Sequence, residues 1–294
     1  MESLTPQWSE YELVDSGDEK RLERFAELRL IRPEPQAKWT ATLPAQRWDA
    51  ADGEFVKGRS GQQGQWKFRK AIPARWRMQR KNLKFCVQPA PSGHVGVFPD
   101  QACHWDWIAE VTKRAARRVK ALCLFGHTGL ATLAASAAGA EVTHVDASQK
   151  AVALARENQC LSGLRKRPIR WIVEDAMTFV TREARRGNCY DALMLDPPRF
   201  GRGPDGEIWK LDDSLPELLA ECTRLLSASP VFVLLNVYAT VLTQGRIEKE
   251  AITLRRHMKE MLQKFQPKLT AGELGIEDAG RRRISASVFA RAEF

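Results

Sequence analysis

From Asp106 onward the chain alternates long helical segments with short apolar runs, and that alternation is what most restricts its fold. Residues 107–119 predict a helix and "ALCLFG" (121–126) a strand, then "LATLAASAAG" a helix and "EVTHVDAS" a strand. The pattern continues with a helix over 150–161, strand "IRWIVED", a helix near 176–186, and strand "YDALMLD". It runs on through a helix over 215–226, strand "PVFVLLNVY" and a helix over 246–265. Strands and helices in alternation form a mostly parallel sheet covered on both faces, an α/β architecture. The closing pair, "LTAGELGI" and "RISASVFARAEF", has no helix between its members and predicts an antiparallel hairpin at one edge.

The N-terminal third has a different texture. Residues 1–35 read as peripheral, with a short helix over 21–30 ended by Pro33 and Pro35. Between Lys38 and Phe98, short apolar runs broken by Gly, Pro and Asp ("FVKG", "QWKFRKAI", "KFCVQP") predict a small β-rich module. We therefore divide the chain into residues 1–93 and 94–294. The N-terminal residues 1–18 are acidic and mixed, unlike a secretory signal, and the window 121–142 holds three glycines and a histidine, so no membrane span is expected. The six cysteines are scattered, without a C-x-x-C pair or histidines at ligand spacing. They predict no metal site and a reduced, cytoplasmic setting.

The net charge of +10 is concentrated in one segment. Residues 57–84 contain ten Lys/Arg and no Asp or Glu, leaving 36 basic and 36 acidic residues elsewhere. Trp66, Phe68 and Trp76 are interleaved with these charges. Cations that displace counterions from phosphates, beside rings that can stack on unpaired bases, mark this segment as a candidate RNA-binding surface. The alternative is a solvated basic face whose aromatics point into a core.

In a parallel sheet of this kind, ligands bind beyond the carboxyl ends of the strands, where the winding reverses. The first strand ends in "FGHTG", in which Gly126 and Gly129 admit a ligand close to the backbone and the next helix offers free N–H groups. The second ends in Asp146, where a carboxylate can accept both hydroxyls of a ribose. The third ends in Asp175, which could accept from an adenine amine, and the fourth in "DPPRFG" with Asp196. The alternative for Asp146 and Asp175 is that they cap the helices that follow.

Taken together, "FGHTG", "VDAS", "NQ" and "DPPRFG" resemble the class I S-adenosylmethionine-dependent methyltransferases over roughly residues 94–294. Within these, the segments look like the branch containing the bacterial large-subunit rRNA cytosine-C5 methyltransferases. The resemblance implies a Rossmann-like seven-stranded fold, S-adenosylmethionine as cofactor, and methylation of a base in RNA, 23S rRNA first. It implies that Phe125, Gly126 and Gly129 line the methionine end and that Asp146 holds the ribose, with Thr128 and Ala147 as further cofactor-binding candidates. By the same resemblance, Asp175 meets the adenine amine and Asp196 stands on the methyl-donor side, with Ala176 a further cofactor-binding candidate. Gln101 and Trp105, from the segment before the first helix of the fold, are further cofactor candidates.

Two features depart from that branch. No PUA-type domain is recognisable, which leaves segment 57–84 as the candidate RNA-binding element. Methylation at cytosine C5 also requires a cysteine thiolate that adds to C6, and the turn after the fifth strand offers Asn236, Val237 and Tyr238 instead. Cys222 lies on the preceding helix and Cys189 before the fourth strand. A ring nitrogen or exocyclic amine needs only a lone pair aimed at the methyl group. Asp196 and Asn236 are the candidates to orient it, with Phe200 stacking on a base drawn into the pocket or else packed as a loop aromatic. Methylation of a small molecule or protein, and a catalytically silent RNA-binding assembly factor, are the competing readings.

Overall fold

A computed structural model describes residues 2–58, 64–238 and 244–294. Residues 59–63 of the basic segment and 239–243 of the stretch after the fifth α/β strand lie outside the described residues. The N-terminal part comprises β1 (Glu2–Leu4), β2 (Tyr11–Gly17), β3 (Lys20–Phe25), β4 (Leu28–Pro33), α1 (Ala45–Asp49), β5 (Gly53–Val56) and β6 (Gln65–Phe68). A separate hairpin follows, β7 (Trp76–Arg80) and β8 (Leu83–Val87). A 3-10 turn (Pro99–Gln101) then leads into α2 (Ala102–Arg114).

The alternating region unfolds as expected. It runs β9 (Lys120–Leu124), α3 (Leu130–Ala137), β10 (Glu141–Asp146), α4 (Gln149–Leu161), β11 (Ile169–Val173), α5 (Ala176–Arg185) and β12 (Ala192–Leu195). A small hairpin that the sequence pattern does not predict comes next, β13 (Phe200–Arg202) with β14 (Ile208–Lys210). It is followed by α6 (Leu211–Arg224), β15 (Phe232–Tyr238), α7 (Gln244–Met261), β16 (Lys268–Glu277) and β17 (Arg283–Glu293).

The large sheet has the order β1-β16-β17-β15-β12-β9-β10-β11. β9 to β12, with β15, run parallel, whereas β17 is antiparallel to both β15 and β16. Period-2 alternation sorts the central strands between two layers. Cys123 and Met194 face α2 and α3, while Leu122, Leu124, Leu193 and Leu195 face α5, α6 and α7. Because both faces are covered, β12 is buried along its whole length. From β9 the chain winds to one side through β10 and β11 and to the other through β12 and β15. The loops after β9 and β12 therefore diverge and leave a crevice at their carboxyl ends.

The N-terminal residues depart from expectation. In place of a helix over 21–30, β2, β3 and β4 form an antiparallel meander, extended by β5 and β6 into a five-stranded sheet. Residues 1–35 are not peripheral either. Trp8, Tyr11, Phe25 and Leu30 share one apolar core with Trp105 and Ile108 of α2. β1 pairs in parallel with β16, so the predicted closing hairpin is not the outermost pair and the sheet has eight strands, seven of them in the expected α/β region. We retain the division near residue 93 as a proposal about topology. Among the described residues no helix is long and apolar enough to cross a membrane.

Candidate active site

The loop after β9 is wound tightly. Phe125 and His127 adopt φ of 56° and 47°, and Gly129, the N-cap of α3, adopts 88°. Left-handed conformations are costly for side chains like these, and such strain gathers where backbone must approach a ligand. Gly126 admits no side chain, because a Cβ there would collide with the His144 ring. That ring is buried and held by the Thr132 hydroxyl at 2.9 Å. The Thr128 hydroxyl donates to the Gly96 carbonyl at 2.7 Å, so this candidate contributes the wall of the cavity while its polar atom braces the loop.

Asp146 stands at the end of β10. One carboxylate oxygen accepts from the His127 amide and the other from the Ser148 amide, each at 2.8 Å. Burial raises its acid, and the two amides pull the other way. Asp175 caps α5, accepting from the Thr178 amide at 2.9 Å, which is the alternative considered for it. It also lines the cleft with Ala147 and Ala176.

Asp196 follows β12 at the base of the crevice. Gln101 Nε2 donates to one of its oxygens at 2.8 Å and Asn236 Nδ2 to the other at 2.7 Å. Although its surface is partly open to the cleft, protein surrounds it closely enough for burial to raise its acid to about 7, against the Asn236 bond. The Asn236 amide cannot turn over. Arg291 Nε donates to His104 Nδ1 at 3.1 Å, and arginine accepts nothing, so the proton of this neutral imidazole resides on Nε2. That Nε2 lies 3.3 Å from Asn236 Oδ1, which also accepts from the Ser287 hydroxyl at 3.0 Å. The amide nitrogen is thereby committed to Asp196. Ser287 stands 3.3 Å from Asp100, whose acid burial raises to about 6.

These groups border an inner cavity of about 60 Å³ beneath the Phe125–Gly129 loop and an open cleft of about 640 Å³. Phe98, Gln101, Phe125, His127 and Asp196 belong to both. Trp105 touches the inner cavity but is chiefly a core residue, edge-on to Trp8 at 6.2 Å. Phe200 is not a packed loop aromatic: on β13 it is 58% exposed at the cleft rim. The other face of its hairpin is anchored, since the Trp209 indole donates to the Pro198 carbonyl at 2.6 Å and its ring lies 4.9 Å from that of Phe125. Sequence reasoning did not single out His94, His127, Asp100 or Ser287. His127 sits inside the glycine loop and could have been found there. Burial lowers both His94 and His127 to about 4, which makes them neutral ring walls at pH 7.

The basic segment is not one free surface. Arg69 donates to the carbonyls of Trp48, Asp49 and Ala51, Lys70 pairs with Asp52 at 2.5 Å, and Arg75 with Glu157 at 2.5 Å. Arg80 is buried and bidentate to Asp106. Lys57, Lys67, Arg77 and Lys84 stay exposed. Trp66 and Phe68 stack at 5.8 Å, and Trp76 packs against the core. Among the described residues no cluster of three or more His, Cys, Asp or Glu could hold a metal ion. Cys123 lines the inner cavity, yet burial pushes its thiol up to about 12.

No protein-family model matches the chain. A crystal structure of a SAM-dependent methyltransferase from Agrobacterium tumefaciens superimposes with a TM-score of 0.91 at 40% identity, covering 100% of this chain and 93% of that one. The chain belongs to the S-adenosylmethionine-dependent methyltransferases. A putative methyltransferase from Streptococcus mutans shares the fold at 16% identity and a TM-score of 0.68, over 94% of this chain and 73% of that one. Ribosomal RNA large subunit methyltransferase I of Aeromonas salmonicida is 34% identical over 124 residues, 42% of this chain and 30% of that protein. Methyltransferase K/L of Shewanella baltica is 33% identical over 149 residues, 48% and 19% of the two lengths. The chain thus spans less than a third of the length of these curated relatives.

The methyltransferase crevice fits its cofactor, S-adenosylmethionine. The cleft volume suits a ligand of that size. The Gly126 and Gly129 backbone forms a cradle that a Cβ would disrupt, toward the His144 ring at one and 2.9 Å from the Ala155 Cβ at the other. Asp146, fixed by two amides, keeps further lone pairs for ribose hydroxyls.

Proposed function

We propose that this methyltransferase acts on a base of RNA, with large-subunit ribosomal RNA the first substrate to test, and that the acceptor is a ring nitrogen or exocyclic amine. The relatives named for rRNA methylation support the substrate class. The observation that carries the acceptor class is Asp196, bracketed by the Gln101 and Asn236 amides at the base of the cleft with its acid raised to about 7. A carboxylate so poised accepts a proton from an N–H group near neutral pH. Among the described residues no cysteine lines the open cleft, the Cys123 thiol of the inner cavity is raised to about 12, and Cys222 is buried on α6.

The bound cofactor supplies an electrophilic methyl group on a positively charged sulfur. The chain's own residues do the rest. Asp146 and Asp175 orient the nucleoside part, Phe200 offers a face at the rim for the incoming base, and Asp196 takes the proton released when the nitrogen gains the methyl group. Asn236 and Gln101 hold the carboxylate in position. Exposed Lys57, Lys67, Arg77 and Lys84 attract phosphates. Action on ribosomal RNA goes with residence in the cytoplasm.

Labelled-methyl transfer to total RNA and to protein extract tests this, followed by mass spectrometry of rRNA nucleosides made with and without the enzyme. We expect one N-methylated nucleoside to track the enzyme. Label confined to protein, or C5-methylcytosine as the product, would overturn the reading.

A further inference from the structure

A second pocket, of about 240 Å³, opens between the five-stranded sheet and the β16–β17 end of the large sheet. It adjoins the reaction cleft, because His94, Phe98, Asp100 and Tyr238 line both. Arg21 and Arg32 reach it from β3 and β4, and Lys57 from just beyond β5. Glu23 and Glu34, the counter-ions of the two arginines, are not among the residues that line it. Glu23, wholly buried, accepts from Arg32 Nε at 2.6 Å, Arg32 Nη2 at 2.8 Å and the Tyr11 hydroxyl at 3.0 Å.

Arg32 is therefore a structural cation, but Arg21 is not spent in the same way. Its Nε lies 3.3 Å from Glu23 and its Nη1 3.6 Å from Glu34, ion pairs without the hydrogen-bond geometry that Arg32 has. Burial raises the acids of Asp100 and Tyr238, and the charges of Arg21 and Arg32 pull both down, so the two guanidinium groups act on the floor and wall of the reaction cleft. Tyr238 is 39% exposed, with its ring 6.4 Å from Phe98. Cations beside accessible rings are the chemistry that binds unpaired nucleotides, through phosphate contact and stacking.

We propose that this pocket is a second nucleotide subsite, in which Arg21 and Lys57 hold the phosphate of the nucleotide next to the methylated one and Tyr238 stacks on its base. It rests on the RNA reading above and gives the N-terminal sheet a direct part in substrate choice. The methylated base lies in the cleft, its neighbour lies across the His94–Phe98 wall, and the acceptor strand must be unpaired at both positions.

The test uses the full chain and a labelled single-stranded oligouridylate, followed by fluorescence anisotropy across a salt series. Arg21→Gln leaves Glu23 paired with Arg32, and Lys57→Glu changes an exposed side chain, so both variants should fold. Melting curves and cofactor affinity serve as controls. Each variant should weaken binding roughly threefold to tenfold and flatten the log–log salt slope by about 0.7. Tyr238→Leu should weaken binding about fivefold or more with the slope retained. In labelled-methyl transfer to total RNA, KM for RNA should rise in all three. Wild-type affinity and slope in both cation variants would overturn the subsite. RNA that takes no label from the wild-type enzyme, while oligouridylate binding still depends on both cations, would instead sink the substrate reading and leave the subsite standing.

Discussion

Asp146 spends one lone pair of each oxygen on the backbone of the loop it supports, so its replacement is felt twice. Asp146→Asn keeps only one acceptor oxygen, and S-adenosylmethionine affinity should fall by about 1–3 kcal/mol in calorimetry. A folded variant with unchanged affinity removes Asp146 from the site. Asp196 carries the opposite demand. Its folded acid, at about 7, lies above the ordinary 3.8, so between these values the folded protein retains a proton that the unfolded chain releases. This group therefore lowers stability progressively as pH rises through that window. Asp196→Asn should flatten this part of the melting-temperature profile and be more stable than wild type at pH 8. Its kcat should fall roughly 10²-fold, and wild-type kcat/KM should drop as pH falls through about 7. A kcat near wild type would take the carboxylate out of proton transfer. Replacing all six cysteines by Ser or Ala should leave methyl transfer largely intact in a variant that folds, whereas an adduct trapped with 5-fluorocytosine RNA would restore a covalent route. The strand-end acids were legible because each closes an apolar run. Ser287 and Asp100 were not, since only the tertiary fold brings β17 and the 3-10 turn to Asn236.

At the scale of the element, the glycine loop and the N-terminal hairpins show opposite legibility. "FGHTG" announces a backbone that must be close to something, and the packing of Gly126 on His144 makes the requirement steric. Gly126→Ala should destabilise the protein by about 1–3 kcal/mol through overpacking, and also weaken cofactor binding. A melting temperature equal to wild type would mean that His144 can give way. The hairpins joining β2 to β3, β3 to β4 and β7 to β8 have two-residue turns, Asp18-Glu19, Ala26-Glu27 and Lys81-Asn82. Positive φ falls on Asp18, Glu19, Ala26 and Lys81, in turns that contain no glycine. Such turns normally advertise themselves with Asn-Gly or Asp-Gly. Without that signal, "RLERFAELRL" resembles a helix by propensity, and long-range pairing overrides it.

At the scale of the molecule, the apolar core ignores the division at residue 93. Trp8, Phe25, Phe85 and Val87 pack in one cluster with Trp105, Ile108 and Leu133. A fragment of residues 94–294 should therefore fail to melt cooperatively, and calorimetry of that fragment checks it. A sharp native-like transition would make the two parts independent folding units. Sequence texture could reveal the change from β-rich to alternating structure, but a shared core has no local signature. The contact between the Trp209 and Phe125 rings reaches further. Phe125 belongs to the loop bordering the proposed cofactor cradle and Trp209 to the hairpin that presents Phe200, so this ring pair adds a protein-borne contact between the two proposed sites. Equilibrium linkage then requires symmetry: whatever factor the cofactor imposes on affinity for the acceptor, the acceptor imposes on affinity for the cofactor. The demethylated product carries its own factor, and the ratio of the two sets how far a bound acceptor changes the relative affinity for fresh and spent cofactor.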